Sequence, residues 1–400
     1  MQLSLKMDTH PNIASPATKQ APVVLQVLPS LGTGGVERGT VDIARALTEA
    51  GWRAIVASSG GPMVREVQRA GALHVELPVE SKNPLTMWRN VDRLARLIAE
   101  HKIDIVHARS RAPAWSALYA AKRAGAAFVT TFHGHYNAAN PAKAYYNSVM
   151  ARGRRVIAIS DFIGEHVVRR YGADPAVVRV IPRGVDLDIF DPGAVSAERV
   201  IDVAESWRVP DDARVVMLPG RLTRWKGQSV LIEALARIDR KGIRCILVGD
   251  DQGRERYRME LEDRIKRLEL ESVVQIAGHC RDMAAAYMLA DVVVSASTDP
   301  EAFGRVIAEA QAMGRPVIAT DHGAARETVL EGVSGWLVPP GDASALAVAL
   351  REALALTPEQ RAALAETAID HVRGRYTRPR MCEATLAVYA ELLAEAGQGG

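Results

Sequence analysis

Arg221 and Lys226 stand five residues apart in GRLTRWKGQ, directly after a strand-like run, RVVMLPG. Across one turn a forked guanidinium and a mobile ammonium can converge on a single phosphate or diphosphate. The segment is not GxxxxGK[ST], so it is no P-loop. Glu301 and Glu309 stand eight apart in DPEAFGRVIAEAQAMG, where Val306, Ile307, Ala310 and Met313 repeat at helical spacing. Glu301 therefore falls in the loop that feeds a helix, and Glu309 more than a turn inside it. Two carboxylates so placed can address opposite ends of one elongated ligand. The unpaired amides at the helix start, around Gly304 and Arg305, add a seat for an anion. A plainer reading leaves Glu301 complementing the helix dipole, worth roughly 0.3–1 kcal/mol, and Glu309 on a solvated surface.

In the first half, Gly32, Gly34 and Gly35 follow the apolar run VVLQVLP and let backbone approach a ligand closely. Glu37 stands where GxGxxG needs its last glycine, which weighs against a nicotinamide enzyme. His133 and His135 in TTFHGHY, and His107 in DIVHARS, end further strand-like runs. Asp186 and Asp188 have the DxD spacing of some metal-held sugar nucleotides. They lie in a linker without a suitable preceding strand, so a metal site is not expected. No GxSxG elbow or Ser/His/Asp arrangement is present.

The elements that must position these residues alternate between short apolar runs and helical periods, the pattern of a parallel sheet covered on both faces. A chain of 400 residues is too long for one ordinary core. The expected division is a tail over 1–21, disordered, a first α/β domain over 22–190, a second over 191–375, and a helix over 376–400 packing back toward the first. Pro-, Gly- and Asp-rich IPRGVDLDIFDPG marks the crossing. Each domain reads as doubly wound, and ligands bind such sheets in the loops after the strands. The composition, 48% hydrophobic and 24% charged, is that of a globular protein. Cys245, Cys280 and Cys382 match no disulfide or zinc spacing. The N-terminal tail has no apolar core segment of a signal peptide, and no stretch is apolar enough to span a bilayer. A cytoplasmic location is the expectation. Residues 1–200 carry 25 Lys/Arg against 17 Asp/Glu, and residues 201–400 carry 25 against 30. The basic first half suits an anionic partner; without aromatic interleaving, nucleic acid is not expected.

Taken together and in order, GGVER, FVTTF followed by HG, IAIS, IPRGVD, GRLTRWKG, the E-x7-E of Glu301 and Glu309, and WLVPPGD resemble the retaining glycosyltransferases of family four, from Val23 to the last helix. The resemblance implies the GT-B fold, two Rossmann-like domains facing a central cleft. It implies a metal-independent, retaining hexosyltransferase without cofactor, using a UDP-, GDP- or ADP-linked sugar as co-substrate. Arg221, Lys226, His133 and Glu301 take the catalytic positions. Gly34, Gly35, Glu309, Phe303 and Gly304 take the donor-binding ones, with Glu309 on the ribose. From its strand-end position His107 is divided between an acceptor-side and a structural role, and it and Arg183 are the acceptor-side candidates. Arg183 stands where the family usually has Asn, and DHGAARETV lacks a second glycine and a proline found in many relatives.

The acceptor expected is a lipid-linked or glycan precursor of lipopolysaccharide or another cell-envelope polymer. Arg89, Arg93 and Arg96 share a helical face, and Arg152, Arg154 and Arg155 are bunched, as docking on the inner face of the cytoplasmic membrane would want. The alternatives are a GT-B enzyme of soluble sugars, such as a sucrose- or trehalose-type synthase or a nucleotide-sugar epimerase, and a nucleotide-sugar-binding protein without turnover.

Overall fold

A computed structural model describes residues 21–136 and 140–398. The tail expected over 1–21 lies, except for Ala21, outside the described residues. The first domain is built on a seven-stranded sheet of β1 (Val23–Val27), β2 (Arg53–Ser58), β3 (Leu73–Glu76), β4 (Ile105–Ala108), β5 (Ala127–Phe132), β6 (Arg155–Ala158) and β7 (Val178–Val180). Its order is 3-2-1-4-5-6-7, and every pairing is parallel. The second domain has β8 (Arg214–Pro219), β9 (Ile243–Val248), β10 (Val274–Gly278), β11 (Val292–Ser295), β12 (Val317–Thr320) and β13 (Gly335–Val338), in the order 10-9-8-11-12-13 and again parallel. Strands such as VVLQV in β1 are buried along their whole length, as strands covered on both faces must be.

In each sheet the order reverses beside the first strand, between β1 and β4 and between β8 and β11. Such a switch point opens a crevice at the strands' carboxyl ends. The loops after β1, β4, β8 and β11 are those that carry Gly34–Gly35, Arg109, Arg221–Lys226 and Glu301. The two crevices face each other.

Two crossings join the domains, and they touch. Val185 donates its N–H to the Tyr376 carbonyl at 2.7 Å, and Arg378 returns one to the Val185 carbonyl at 2.9 Å. Arg378 also bonds Asp186 and, at 2.6 Å, Asp188. The DxD pair thus clasps the crossing. After it, the helix Arg378–Gln398 lies on the first domain, where Met381, Val388, Tyr389 and Leu392 share one apolar cluster with Val24, Leu28 and Val41. Fully burying each such aliphatic side chain contributes roughly 1.5–3 kcal/mol. Arg155 and Arg179 hold Glu391 at 2.7 and 2.6 Å, and Arg154 holds Glu395 at 3.1 Å.

The domains also meet at the cleft mouth. Ser160 Oγ donates to the Ala302 carbonyl at 2.6 Å. The carboxylate of Glu327 accepts the N–H groups of Asp161 and Phe162, both at 2.8 Å, at the start of the helix Asp161–Tyr171. A carboxylate from one domain thus satisfies orphan donors at a helix N-terminus of the other. No helix among the described residues is long and apolar enough to cross a membrane.

Candidate functional site

The second-domain wall of the cleft is organised by its carboxylates. A short 3-10 turn, Arg224–Lys226, followed by Gly227 at φ 70°, swings Lys226 back toward the loop after β11. There the Lys226 ammonium bonds Glu301 Oε1, which also accepts from Ser297 Oγ at 2.6 Å. The same ammonium stands 4.4 Å from the centre of the Trp225 ring, an arrangement that holds a cation by the ring's negative face. Arg221 is exposed at the lip, and no described residue forms an ion pair with it. Phe303 is buried against Tyr376; it anchors the loop. Gly304 sits at φ 79°, where only glycine is unstrained, and starts the helix Arg305–Ala312.

Glu309 is not on a solvated surface. It is 9% exposed, accepts from Tyr287 Oη at 2.9 Å, and pairs with Arg305 Nε at 3.2 Å. Burial raises its carboxyl above the ordinary range, against the pull of Arg305 and Tyr287.

The first-domain wall is cationic. Arg183 bonds the Gly35 carbonyl at the start of the helix Gly35–Glu49. The absence of a side chain at Gly35 leaves room for two guanidinium groups: a Cβ there would lie 3.3 Å from Arg305 Nη1 and 3.4 Å from Arg183 Nη2. One turn on, a Cβ at Gly39 would lie 2.7 Å from Arg183 Nη1 and 3.1 Å from Arg109 Nη2. Arg305 of the second domain, Arg183 and Arg109 thus run inward in a row along one helix face. Arg109 is 3% exposed, its Nε is enclosed without a partner, and no described residue pairs with its guanidinium. Burial and then Arg109 and Arg305 push Arg183 down to about 9, with Asp42 and Glu37 opposing.

His133 closes the row. Both its ring nitrogens are enclosed and have no hydrogen-bond partner. Burial, with Arg109 and Arg183 next in effect, holds it well below its ordinary value, so it is neutral at pH 7. A neutral imidazole can meet an uncharged hydroxyl as donor or acceptor.

His107 does not belong to the acceptor side. It is fully buried in β4, with Nδ1 2.6 Å from Tyr389 Oη and Nε2 2.7 Å from Thr131 Oγ1. Both nitrogens are spent on the fold, and the first of these bonds ties down the last helix. His135 is exposed and lies 4.3 Å from the His166 ring, outside the row. Arg154 and Arg155 are likewise taken by carboxylates of the last helix, whereas Arg93, Arg96 and Arg152 bond only neutral groups, so the docking cations expected there reduce to Arg89, Arg93, Arg96 and Arg152.

Four residues of the site escaped the sequence reading: Arg109, the Arg305 side chain, Tyr287 and His322. His322 follows β12, and both its ring nitrogens are enclosed and unbonded; the next residue but one, Ala324, donates to the Glu301 carbonyl at 2.9 Å. Arg109 carried a legible signal, since it is the first residue past a buried strand beside the switch point. Tyr287 carried none, because a tyrosine among alanines reads as core.

The family model described as Glycosyltransferase Family 4 matches residues 33–189, and that described as Glycosyl transferases group 1 matches residues 202–371. A D-inositol 3-phosphate glycosyltransferase of Xylanimonas cellulosilytica is 32% identical over 386 residues, 90% of this chain and 92% of that protein. The chain belongs to glycosyltransferase family four. Another relative of that name, from Saccharomonospora viridis, is 36% identical over 256 residues, 62% of this chain; the match spans only 57% of that relative's length. Among solved structures, a glycosyltransferase from Rickettsia africae superposes with a TM-score of 0.87 at 38% identity, covering 94% of this chain and 99% of that one. Anabaena Alr3699/HepE in complex with UDP and glucose superposes at 0.81 with 25% identity, covering 92% and 100%. The two facing parallel-sheet domains of this family-four chain are the GT-B architecture.

Proposed function

We propose that this chain is a retaining, metal-independent hexosyltransferase that moves a sugar from a nucleoside diphosphate to a hydroxyl of a membrane-associated glycolipid or polysaccharide precursor. The observation that carries the reading is the meeting of the two walls. The E-x7-E carboxylates, held on Lys226 and Arg305, face Gly35 and His133 across one cleft. In that cleft the bond from the sugar's anomeric carbon to the diphosphate oxygen breaks, and its electron pair stays on the phosphate. Arg221 and Lys226 are the charges placed to stabilise the leaving group, and preorganised charge lowers such a barrier. The acceptor oxygen bonds the anomeric carbon from the face the diphosphate leaves, and its proton passes to a phosphate oxygen. Glu309 takes the ribose hydroxyls, Glu301 the donor sugar, the Phe303 and Gly304 amides the groups between them, and His133 the reacting end of the sugar. Gly34 and Gly35 face the diphosphate from the other wall.

The HepE structure, with UDP and glucose, supports UDP as the first donor nucleotide to test. A thermal-shift screen against UDP, GDP, ADP and their sugar conjugates, with and without EDTA, tests the donor reading, since a ligand of the native state raises the melting temperature. One nucleotide that shifts it equally with EDTA is the expected result. No shift with any of them refutes the reading.

The membrane part rests on an exposed aromatic surface of the first domain. Trp88 is 64% exposed, and Leu85, Tyr119 and Tyr145 are also open to solvent. Trp115 stacks on Tyr119 and Tyr145, with centroids 6.1 and 5.2 Å apart, and the Arg152 guanidinium stands 5.0 Å from the Trp115 ring. Aromatic rings edged with cations suit an anionic bilayer interface on the cytoplasmic side. Co-sedimentation with vesicles containing phosphatidylglycerol should be lost in a Trp88→Ser, Tyr145→Ser double variant; equal binding removes this surface from the proposal. The name of the inositol-phosphate relatives favours one second reading, a soluble phosphate-bearing acceptor.

A further inference from the structure

Arg221 and Lys226 already supply two cations to a diphosphate, and both come from the second domain. Arg109 and Arg183 come from the first, from the loops after β4 and β7, and with Arg305 they line the opposite wall. Arg305 is exposed and paired with Glu309, but Arg109 and Arg183 are buried; like charges buried side by side repel, and a buried charge without a partner is costly. Such a row persists where an anion completes it.

We propose that Arg109, Arg183 and Arg305, with His133 beside them, form a second anion seat that takes a phosphate carried by the acceptor. The inference rests on the transferase reading and adds to it the chemical class of the acceptor. Three observations support it. Arg109 has no ion pair or side-chain hydrogen bond among the described residues although it is 3% exposed. Both ring nitrogens of His133 are enclosed and unbonded. Gly35 and Gly39 leave the space that the three guanidinium groups share. The carboxylates around the row are Glu309, which pairs with Arg305 at 3.2 Å, and Asp42 and Glu37, which form no ion pair with it, so Arg109 and Arg183 are the members without a carboxylate partner. Guanidinium forks match the oxygens of a phosphate monoester, and placing that group here sets the acceptor's hydroxyl on the first-domain side of the reacting carbon.

The test is titration of inorganic phosphate into the full chain, alone and with saturating UDP, read by calorimetry and melting temperature. Phosphate is expected to bind in both conditions. Arg183→Asn and Arg109→Gln should each weaken it about tenfold or more, the loss of a charge-assisted bond, while leaving UDP affinity in place. In phosphate-free buffer Arg109→Gln should melt no lower than the wild type, because it relieves repulsion and breaks no bond, whereas Arg183→Asn also loses the bond to the Gly35 carbonyl. Displacement of phosphate by UDP would overturn the proposal, since the row would then belong to the donor diphosphate. Undiminished phosphate binding in the variants would overturn it too, and so would a drop of several degrees in both, which marks a structural role. If no nucleotide binds at all, the donor reading fails while the phosphate titration still decides the seat. Glycerol 3-phosphate and vesicles of phosphatidic acid then separate a soluble from a lipid source: displacement by either supports the seat, and displacement by neither refutes it.

Discussion

Gly184→Ala is the sharpest test of how the domains are joined. Its φ is not in the left-handed region, so the change costs nothing in backbone conformation. The cost is steric. A Cβ there would lie 2.5 Å from Arg378 Cα, 2.6 Å from Arg378 N and 2.8 Å from Thr377 C, all backbone atoms that cannot rotate away. The crossing segments must part, which breaks the two bonds between Val185 and the Tyr376–Arg378 segment. Two buried backbone bonds at about 1 kcal/mol each, plus about 1–3 kcal/mol for overpacking, give a loss of about 3–5 kcal/mol. For a domain of this size that is a fall on the order of ten degrees in melting temperature. Differential scanning calorimetry of the full chain reads it, and hydrogen exchange should show the helix Arg378–Gln398 losing protection first. Arg378→Gln removes only the clasp to Asp186 and Asp188 and should cost about 1 kcal/mol. A Gly184→Ala protein melting within two or so degrees of the wild type, with the last helix still protected, would refute the close crossing.

Lys226→Ala should lower the turnover number by about a hundredfold or more, the scale of one preorganised donor, and weaken nucleoside diphosphate binding far less; an unchanged rate removes Lys226 from the mechanism. Glu309→Gln should weaken nucleoside diphosphate binding about tenfold, and equal affinity by calorimetry removes the ribose assignment. Because burial raises the Glu309 carboxyl, affinity should also fall as pH drops through that raised value, a dependence Glu309→Gln should lack. His107 is neutral in the native state and held well below its ordinary value by burial, whereas the unfolded chain takes up a proton near pH 6.5. Its contribution is therefore complete above that pH and is lost as pH falls below it, by about 1.4 kcal/mol per unit. In urea unfolding between pH 6 and 5, His107→Asn should show a slope shallower by about that amount, and an identical slope refutes the buried neutral imidazole.

The strands were legible throughout, because runs such as VVLQV, DIVHA and DVVVS are short, apolar and bounded by loops, and a parallel sheet buries both their faces. The last three helices were legible at their starts, since Asp342, Thr357 before Pro358, and the Arg378 segment carry capping or proline signals. The pairing of Lys226 with Glu301 was not, because 75 residues separate them and only tertiary folding joins them. His107 stayed undecided for the same reason: a histidine at a strand end next to the switch point has a site residue's address as well as a core residue's. What assigns it to the core is Tyr389, which spacing cannot reveal.

That bond between residues 107 and 389 has a consequence during synthesis. The two partners are 282 positions apart, so at roughly 5–20 residues per second the ribosome needs on the order of half a minute to deliver the tyrosine after the histidine. For that interval the apolar face around Val24, Leu28 and Val41 has lost the cover that the last helix provides. The first domain to leave the exit tunnel is therefore the last to be sealed, and a nascent chain stalled or truncated near its end leaves its oldest part unfinished. Translation errors at the C-terminus should surface as aggregation of the N-terminal half.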